Sequence, residues 1–348
     1  MSTHEFFMKR CIQLAKNGLG TTYPNPLVGS VIVHDGKIIG EGWHQKAGGP
    51  HAEVHAMANV KDKSLLKNAT IYVSLEPCSH FGKTPPCCDL IIANEIPTVV
   101  IGTKDPFAKV DGNGIKKLQE AGKKCIVGVL EKECAELNKR FFTFHQKKRP
   151  YIILKWAQTA DGYIAPLEKM ENRPVWISSH YSRQLVHKWR TEEQAVLVGT
   201  TTALDDNPKL DARDWKGNNP TRIVVDRENK VPNHFHLKND AAKTIVITAK
   251  EISNATTQMY YESAIFDKSL VNQITTILFK HEIQSVIIEG GTKTIQQFIH
   301  WNLWDEARIF KSKFKLQSGI KAPIFENKTP FDQKKCGDDE LLIVKNYD

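Results

Sequence analysis

At 348 residues the chain is long enough for two domains of ordinary size. Its 41% hydrophobic content is that of a globular protein, and no stretch reaches the apolar length that spans a bilayer, which argues against a membrane protein. The net charge of +9 favours anionic ligands, either nucleic acid or a phosphorylated small molecule. The basic residues are scattered, however, and no nucleic-acid recognition module or coiled-coil heptad is found, so no nucleic-acid partner is expected. The first residues place Glu5 where a secretory signal would be basic, so a cytoplasmic protein is expected. Seven cysteines, an odd number that includes the adjacent pair Cys87-Cys88, do not make a disulfide framework. Reduced thiols, some on a metal, fit better.

In chain order, 4–16 carries Phe7, Cys11, Leu14 and Ala15 at helical spacing. Asn25-Pro26 ends that run. A strand is expected over 28–33, then the Asp35-Gly36 turn and a hairpin partner over 37–43. A helix over 53–60, a strand over 70–75, a helix over 87–94, a strand over 99–102, a helix over 114–121, a strand over 126–129 and a helix over 131–142 follow. The basic run Lys147-Lys148-Arg149 falls in a connector near 146–150. This divides the chain into domains of 1–146 and 150–348. In the second, strands are expected over 151–156, 195–199, 221–226, 244–248, 285–289, 306–310 and 341–345. Helices over 180–189, 272–281 and 294–301 lie among them. Alternation of this kind predicts an α/β fold for both halves. The dinucleotide fingerprint G-x-G-x-x-G is missing from the second.

The chemistry concentrates in His51-Ala52-Glu53, Pro77-Cys78 and Pro85-Pro86-Cys87. An imidazole and two thiolates are a three-ligand set for zinc that leaves a fourth position for water. Glu53, two residues beyond His51, is placed to take a proton from that water and return it to a leaving amine. A lone His51 would be an ordinary polar residue; with Glu53 and two cysteines in this order the metal reading prevails. Cys88 is an alternative to Cys87. His55 reads as structural, and Cys11, Cys125 and Cys134 as small core residues.

This pattern resembles the zinc nucleobase deaminases, whose signature is H-x-E followed by P-C and a second cysteine. The ten residues Cys78-Ser79-His80-Phe81-Gly82-Lys83-Thr84-Pro85-Pro86-Cys87 carry a longer insert than that signature. They resemble the bifunctional riboflavin-biosynthesis deaminase/reductase family. In that family the ligand directly follows Pro-Pro, which selects Cys87. The resemblance implies that Asn25 reads the pyrimidine edge, and that His44, His80 and Lys83 also bind the deaminase substrate.

The second half resembles the reductase of the same family along Leu154-Lys155-Trp156 to Asp161-Gly162, Trp176-Ile177-Ser178-Ser179, Gly199 to Arg213, and Glu289-Gly290-Gly291-Thr292. The resemblance implies a cytidine-deaminase-like three-layer domain followed by a dihydrofolate-reductase-like domain, with Zn2+ and NADPH as cofactors. It implies phosphorylated pyrimidine substrates and a homo-oligomer. It places Gln158, Trp176, Thr202, Asp206, Arg227, Gly291, Thr292, Lys293, Thr294, Ile295, Gln296 and Gln297 at the cofactor. Arg190, Leu210, Arg213 and Glu289 fall at the reductase substrate, with the two arginines on its phosphate. Lys155 and Asp206 stand as alternative proton donors, and the sequence does not choose between them. The chain departs from the family pattern at Thr159-Ala160, Arg173-Pro174-Val175, Arg227 and Leu316-Gln317-Ser318-Gly319.

Overall fold

The computed structural model describes all residues except 1, 80, 82–84, 107–111, 169–174, 253–255, 326–329 and 348. His80, Lys83 and Pro174 therefore lie outside the described residues. The chain divides into two compact units, Met1–Lys148 and Arg149–Asp348.

Among the described residues, unit one is built on a five-stranded sheet in the order β2-β1-β3-β4-β5. The strands are β1 (Gly29–His34), β2 (Lys37–Trp43), β3 (Thr70–Leu75), β4 (Thr98–Thr103) and β5 (Lys124–Val127). β1 and β2 form the expected hairpin, with both turn residues, Asp35 and Gly36, at positive φ as a two-residue turn requires. β1 runs antiparallel to β3, and β3, β4 and β5 are parallel. Alternating side chains feed two cores. Val31 and Val33 meet Phe7, Met8, Cys11 and Leu14 of α1 (Thr3–Ala15) on one face. Ile32, Ile71 and Val99 meet α2 (Ala52–Ala58), α3 (Cys87–Ala93) and α4 (Asn113–Glu120) on the other. The unit is thus three layers deep.

One expected helix, over 131–142, is two: α5 (Glu131–Leu137) and α6 (Lys139–Lys147). The break is at Asn138, which is buried and turned toward a distant backbone. Its Oδ1 accepts from the Leu27 amide at 2.8 Å and its Nδ2 donates to the Leu27 carbonyl at 2.9 Å. Continuing through Lys147, α6 shortens the expected connector to 148–150.

Unit two is built on a nine-stranded sheet among the described residues, ordered β11-β10-β9-β8-β12-β6-β13-β16-β15. Its strands are β6 (Tyr151–Gln158), β8 (Ala195–Gly199), β9 (Thr221–Val225), β10 (Thr244–Thr248), β11 (Met259–Ser263), β12 (Ser285–Ile288), β13 (Glu306–Lys311), β15 (Asp332–Cys336) and β16 (Asp339–Lys345). A separate pair joins β7 (Tyr163–Ala165) to β14 (Ile320–Lys321). The strands from β11 to β13 are parallel, and β16 and β15 close the edge antiparallel. One face packs on α7 (His180–Glu192) through Val186 and Trp189 and on Ala203 of α8 (Thr200–Asp206). The other packs on α9 (Leu270–Lys280) and α10 (Thr292–His300). Helix α8 lies where no helix was among those expected. Asn207, at φ 39°, ends it in the left-handed conformation that asparagine tolerates.

Phe298 anchors α10 and is 1% exposed in its core. Phe298→Ala should lower the unfolding free energy by about 3–5 kcal/mol, read as a shift of the chemical-denaturation midpoint at unchanged slope.

Candidate active sites

In unit one, His51 takes the N-cap of α2, which puts Glu53 in the first helical turn and on the buried side. β3 delivers Cys78 just beyond its carboxyl end, and α3 begins at Cys87 after Pro86. The ligand atoms of His51, Cys78 and Cys87 lie within 4.8 Å of one another. Individual separations are 3.3 Å from His51 Nδ1 to Cys87 Sγ and 3.5 Å from His51 Nδ1 to Cys78 Sγ. The Cys87 amide donates to Cys78 Sγ at 3.3 Å. That amide, the Cys87 thiol and the imidazole hold the Cys78 thiol down to about 4, so a thiolate is present near neutrality; the Cys87 thiol supplies the largest share. The same pairing, with burial, pushes the Cys87 thiol up. Nitrogen and sulfur donors converging in a largely buried pocket with a ready thiolate fit zinc.

Cys88 faces away. Its thiol donates to the Pro77 and Gly114 carbonyls at 3.3 and 3.5 Å. Glu53 is 3% exposed, and burial, reinforced by the Cys78 charge, raises its carboxyl above the ordinary range. His44 is buried beside the cluster, its ring centroid 5.5 Å from that of His51. A carbonyl can only accept, so His44 Nδ1 donates to Pro50 O at 2.9 Å; its Nε2 then accepts from Asn25 Nδ2 at 3.0 Å. Burial, the first cause, and the neighbouring histidines lower His44, which keeps this tautomer neutral. Asn25 is thereby fixed in orientation.

A residue outside the expected set supports the loop. The buried Glu76 carboxylate accepts from the amides of Gly114 at 2.9 Å, Gly112 at 3.1 Å, Ile115 at 3.2 Å and Asp105 at 3.4 Å. Gly114 is required there, since a Cβ would lie 2.1 Å from the Pro77 carbonyl oxygen. Glu76 is adjacent to Pro77-Cys78 in sequence, but only the long-range contact discloses its task.

In unit two a cavity of about 440 Å³ is lined by Trp176, Arg190, Thr202, Asp206, Leu210, Arg213 and Glu289, all expected from sequence. Lys155, Arg183, His187, Asn207 and His236 line it as well. Arg183, His187 and Arg190 recur on one face of α7, a helical spacing that could have disclosed the first two. Arg190 grips the buried Glu289 bidentately, Nε and Nη2 donating at 2.9 and 2.8 Å, and Lys155 Nζ adds a third contact at 3.3 Å. Burial alone would raise the Glu289 carboxyl; the two cations outweigh it and hold it well below the carboxylate range. Trp176 stands at the mouth, 57% exposed, with the Arg183 guanidinium 4.6 Å from its ring. Leu210 is buried at φ 51°, a strained geometry for a leucine on the loop that presents Arg213.

The remaining expected cofactor residues are not among the residues lining this cavity. Gly291 begins α10 at φ 58°, and a Cβ there would come 3.3 Å from Thr202 Oγ1. Thr294 Oγ1 lies 2.6 Å from where a Cβ on Gly199 would stand. Thr292 Oγ1 donates to the Lys321 carbonyl at 2.6 Å, and Gln296 bonds both backbone groups of Ile324. The Ile295 side chain is core, whereas Lys293 and Gln297 are exposed. Gln158 accepts from Trp156 Nε1 at 2.8 Å. Arg227 is exposed and pairs with Glu228 at 3.4 Å. Asp161 is a turn-former, its carboxylate accepting from the amides of Leu316 and Gln317 at 3.2 and 2.8 Å.

Residues 1–103 match the family model for the cytidine and deoxycytidylate deaminase zinc-binding region, and 150–312 match the RibD C-terminal domain. The riboflavin biosynthesis protein RibD of Aquifex aeolicus is 43% identical over 98% of both chains. RibD of Escherichia coli is 35% identical over 88% of this chain and 86% of its own. The solved diaminohydroxyphosphoribosylaminopyrimidine deaminase/5-amino-6-(5-phosphoribosylamino)uracil reductase of Thermotoga maritima matches with a TM-score of 0.88 at 38% identity, over 99% of this chain and 98% of that one. Acinetobacter baumannii RibD matches at 0.89 and 30%, with the same coverage.

Metal analysis of purified variants separates the adjacent cysteines. Cys87→Ala should lose bound zinc, whereas Cys88→Ala should retain it.

Proposed function

The chain belongs to the RibD family, and from that membership we propose how its own residues divide the work of two reactions. It is a bifunctional enzyme of riboflavin biosynthesis, a zinc-dependent deaminase in its N-terminal unit and an NADPH-dependent reductase in its C-terminal unit. The substrates we assign are 2,5-diamino-6-(5-phosphoribosylamino)pyrimidin-4(3H)-one for deamination and 5-amino-6-(5-phosphoribosylamino)uracil for reduction to its ribityl form. Phosphorylated pyrimidines are then the ligands of both units, in a cytoplasmic homo-oligomer without a nucleic-acid partner. Among the described residues no helix is long and apolar enough to cross a membrane.

The observation that carries the deaminase reading is a buried Glu53 beside the His51, Cys78 and Cys87 donor cluster. His51, Cys78 and Cys87 would hold the zinc, which when bound would make a water molecule acidic enough to serve as nucleophile near neutrality. Glu53 takes the water's proton and returns it to the departing ammonia, and its raised carboxyl pKa suits a group that must both accept and give. Asn25, steadied by His44, reads the pyrimidine edge. His80 and Lys83 belong to the same substrate set by resemblance.

In the reductase, bound NADPH would supply the hydride that reduces C1 of the opened ribosyl imine. Trp176, Thr202 and Asp206, with Gln158, Arg227 and the 291–297 turn and helix, form the cofactor surface. Arg190 and Arg213 take the ribosyl phosphate, while Leu210 and Glu289 complete the substrate pocket. Glu289 also accepts from Lys155 Nζ at 3.3 Å, which holds that side chain in the cavity.

A coupled assay with the phosphorylated diaminopyrimidine, following ammonia and NADPH together, tests the whole reading. Deamination of RNA alone would contradict it. Glu53→Gln should lower deaminase kcat by about 10²–10⁴-fold with zinc content unchanged. Arg213→Ala should raise the reductase KM for the phosphorylated substrate while leaving zinc content and deamination intact; equal use of a non-phosphorylated product by the wild-type reductase would refute the phosphate assignment.

A further inference from the structure

We propose that binding of a phosphate group between Arg190 and Arg213 is coupled to uptake of a proton by His187, a positioning residue for both arginines. The inference deepens the reductase reading above and rests on its assignment of the two arginines to substrate phosphate.

His187 is 4% exposed on α7, one helical turn before Arg190, and lines the cavity. Its Nδ1 lies 2.9 Å from the Asp211 carbonyl oxygen, which can only accept. Nδ1 therefore carries a hydrogen. Its Nε2 lies 3.1 Å from Asp214 Oδ2. A carboxylate also only accepts, so a neutral ring would turn its Nε2 lone pair toward an anion. Two acceptors face a ring that has one hydrogen until it is protonated.

The charges acting on the imidazole pull in opposite directions. Burial and the cations Arg190, on its own helix, and Arg213, on the loop packed over it, disfavour the imidazolium. Asp214 and the Asp211 carbonyl favour it. In the free enzyme the first group prevails and the ring is held below the ordinary histidine range. A phosphate on the arginines offsets their charge and shifts the balance toward Asp214 and the carbonyl. Protonation then gives Nε2 a hydrogen to donate to Asp214.

The same residue, Asp211, ties the histidine to the arginines. Arg190 Nη1 donates to its carbonyl at 2.9 Å, and Arg213 Nη1 donates to its carboxylate at 2.6 Å. A charged His187 strengthens its grip on that carbonyl and on Asp214, and so firms the loop on which Arg213 sits. The sign follows from linkage. A proton taken up on binding makes affinity highest below the free-state pKa of His187. Affinity is lost as pH rises toward the bound-state pKa, by up to about tenfold per pH unit in between.

Isothermal titration of the zinc-loaded full chain with ribose 5-phosphate tests this, at one pH in two buffers of different ionisation enthalpy. His187→Gln is the comparison, because glutamine can donate to the Asp211 carbonyl but cannot be protonated. Wild type should take up more protons per ligand bound than His187→Gln. The affinity of the variant should follow only the second ionisation of the phosphate, at about pH 6. Equal proton uptake by the two proteins would overturn the coupling and leave the phosphate assignment standing. Failure of wild type to bind ribose 5-phosphate would overturn both. Nitrogen-15 histidine spectra of the wild type give a second measurement independent of the variant's folding. Ligand should convert the Nδ1–H tautomer of His187 to imidazolium, and a ring that stays neutral would sink the proposal.

Discussion

An ionised carboxylate with almost no access to water sets the layout of the reductase unit. Glu289 follows β12 in the middle of the sheet, where burial alone would neutralise it. It remains an anion because Arg190 reaches it from α7 and Lys155 from β6. One contact thus fixes a helix and two strands around the same cavity. It also leaves Arg190 with a free-energy reason to stay extended toward the cavity, since removing one partner of a buried pair strands the other's charge.

The deaminase unit solves a related problem with neutral donors. Its buried carboxylate at Glu76 is met by four backbone amides, of Asp105, Gly112, Gly114 and Ile115. The amides bring partial positive charge without a competing side chain near the metal ligands. The same backbone logic runs through His44, whose tautomer is dictated by the Pro50 carbonyl and passed on to Asn25. Both sites lean on parallel strands, whose carboxyl ends leave room for loops. β3 leads to Cys78, β8 to Thr202 and β12 to Glu289.

Legibility in the sequence followed the range of the interaction. The His51, Glu53, Cys78 and Cys87 set could be read because its chemistry is local to short motifs. Strands such as β8, β10 and β12 could be read because they are apolar runs covered on both faces. β15 carried no such signal, for Asp332–Cys336 is a polar edge strand. α8 was hidden by its opening threonines, which are poor helix formers, and tertiary packing of Ala203 overrides them. Cys87 and Cys88 are told apart in the sequence only by the Pro85-Pro86 that precedes the first; in the fold a helix turns consecutive side chains to different neighbours, one toward His51 and one toward the Pro77 carbonyl. The tasks of Glu76, His187 and Asn138 depend on partners brought near by the fold, and no local pattern announces them.

Asn138 also orders events in time. Its carboxamide pairs with Leu27 across 111 residues of chain. Leu27 lies two residues from Asn25, so this brace on the backbone beside Asn25 forms only after Asn138 has been made. On the ribosome, a nascent chain that already carries His51, Cys78 and Cys87 still lacks this brace. The metal ligands are synthesised first, and the Leu27 backbone beside Asn25 is braced only when nearly the whole unit has emerged.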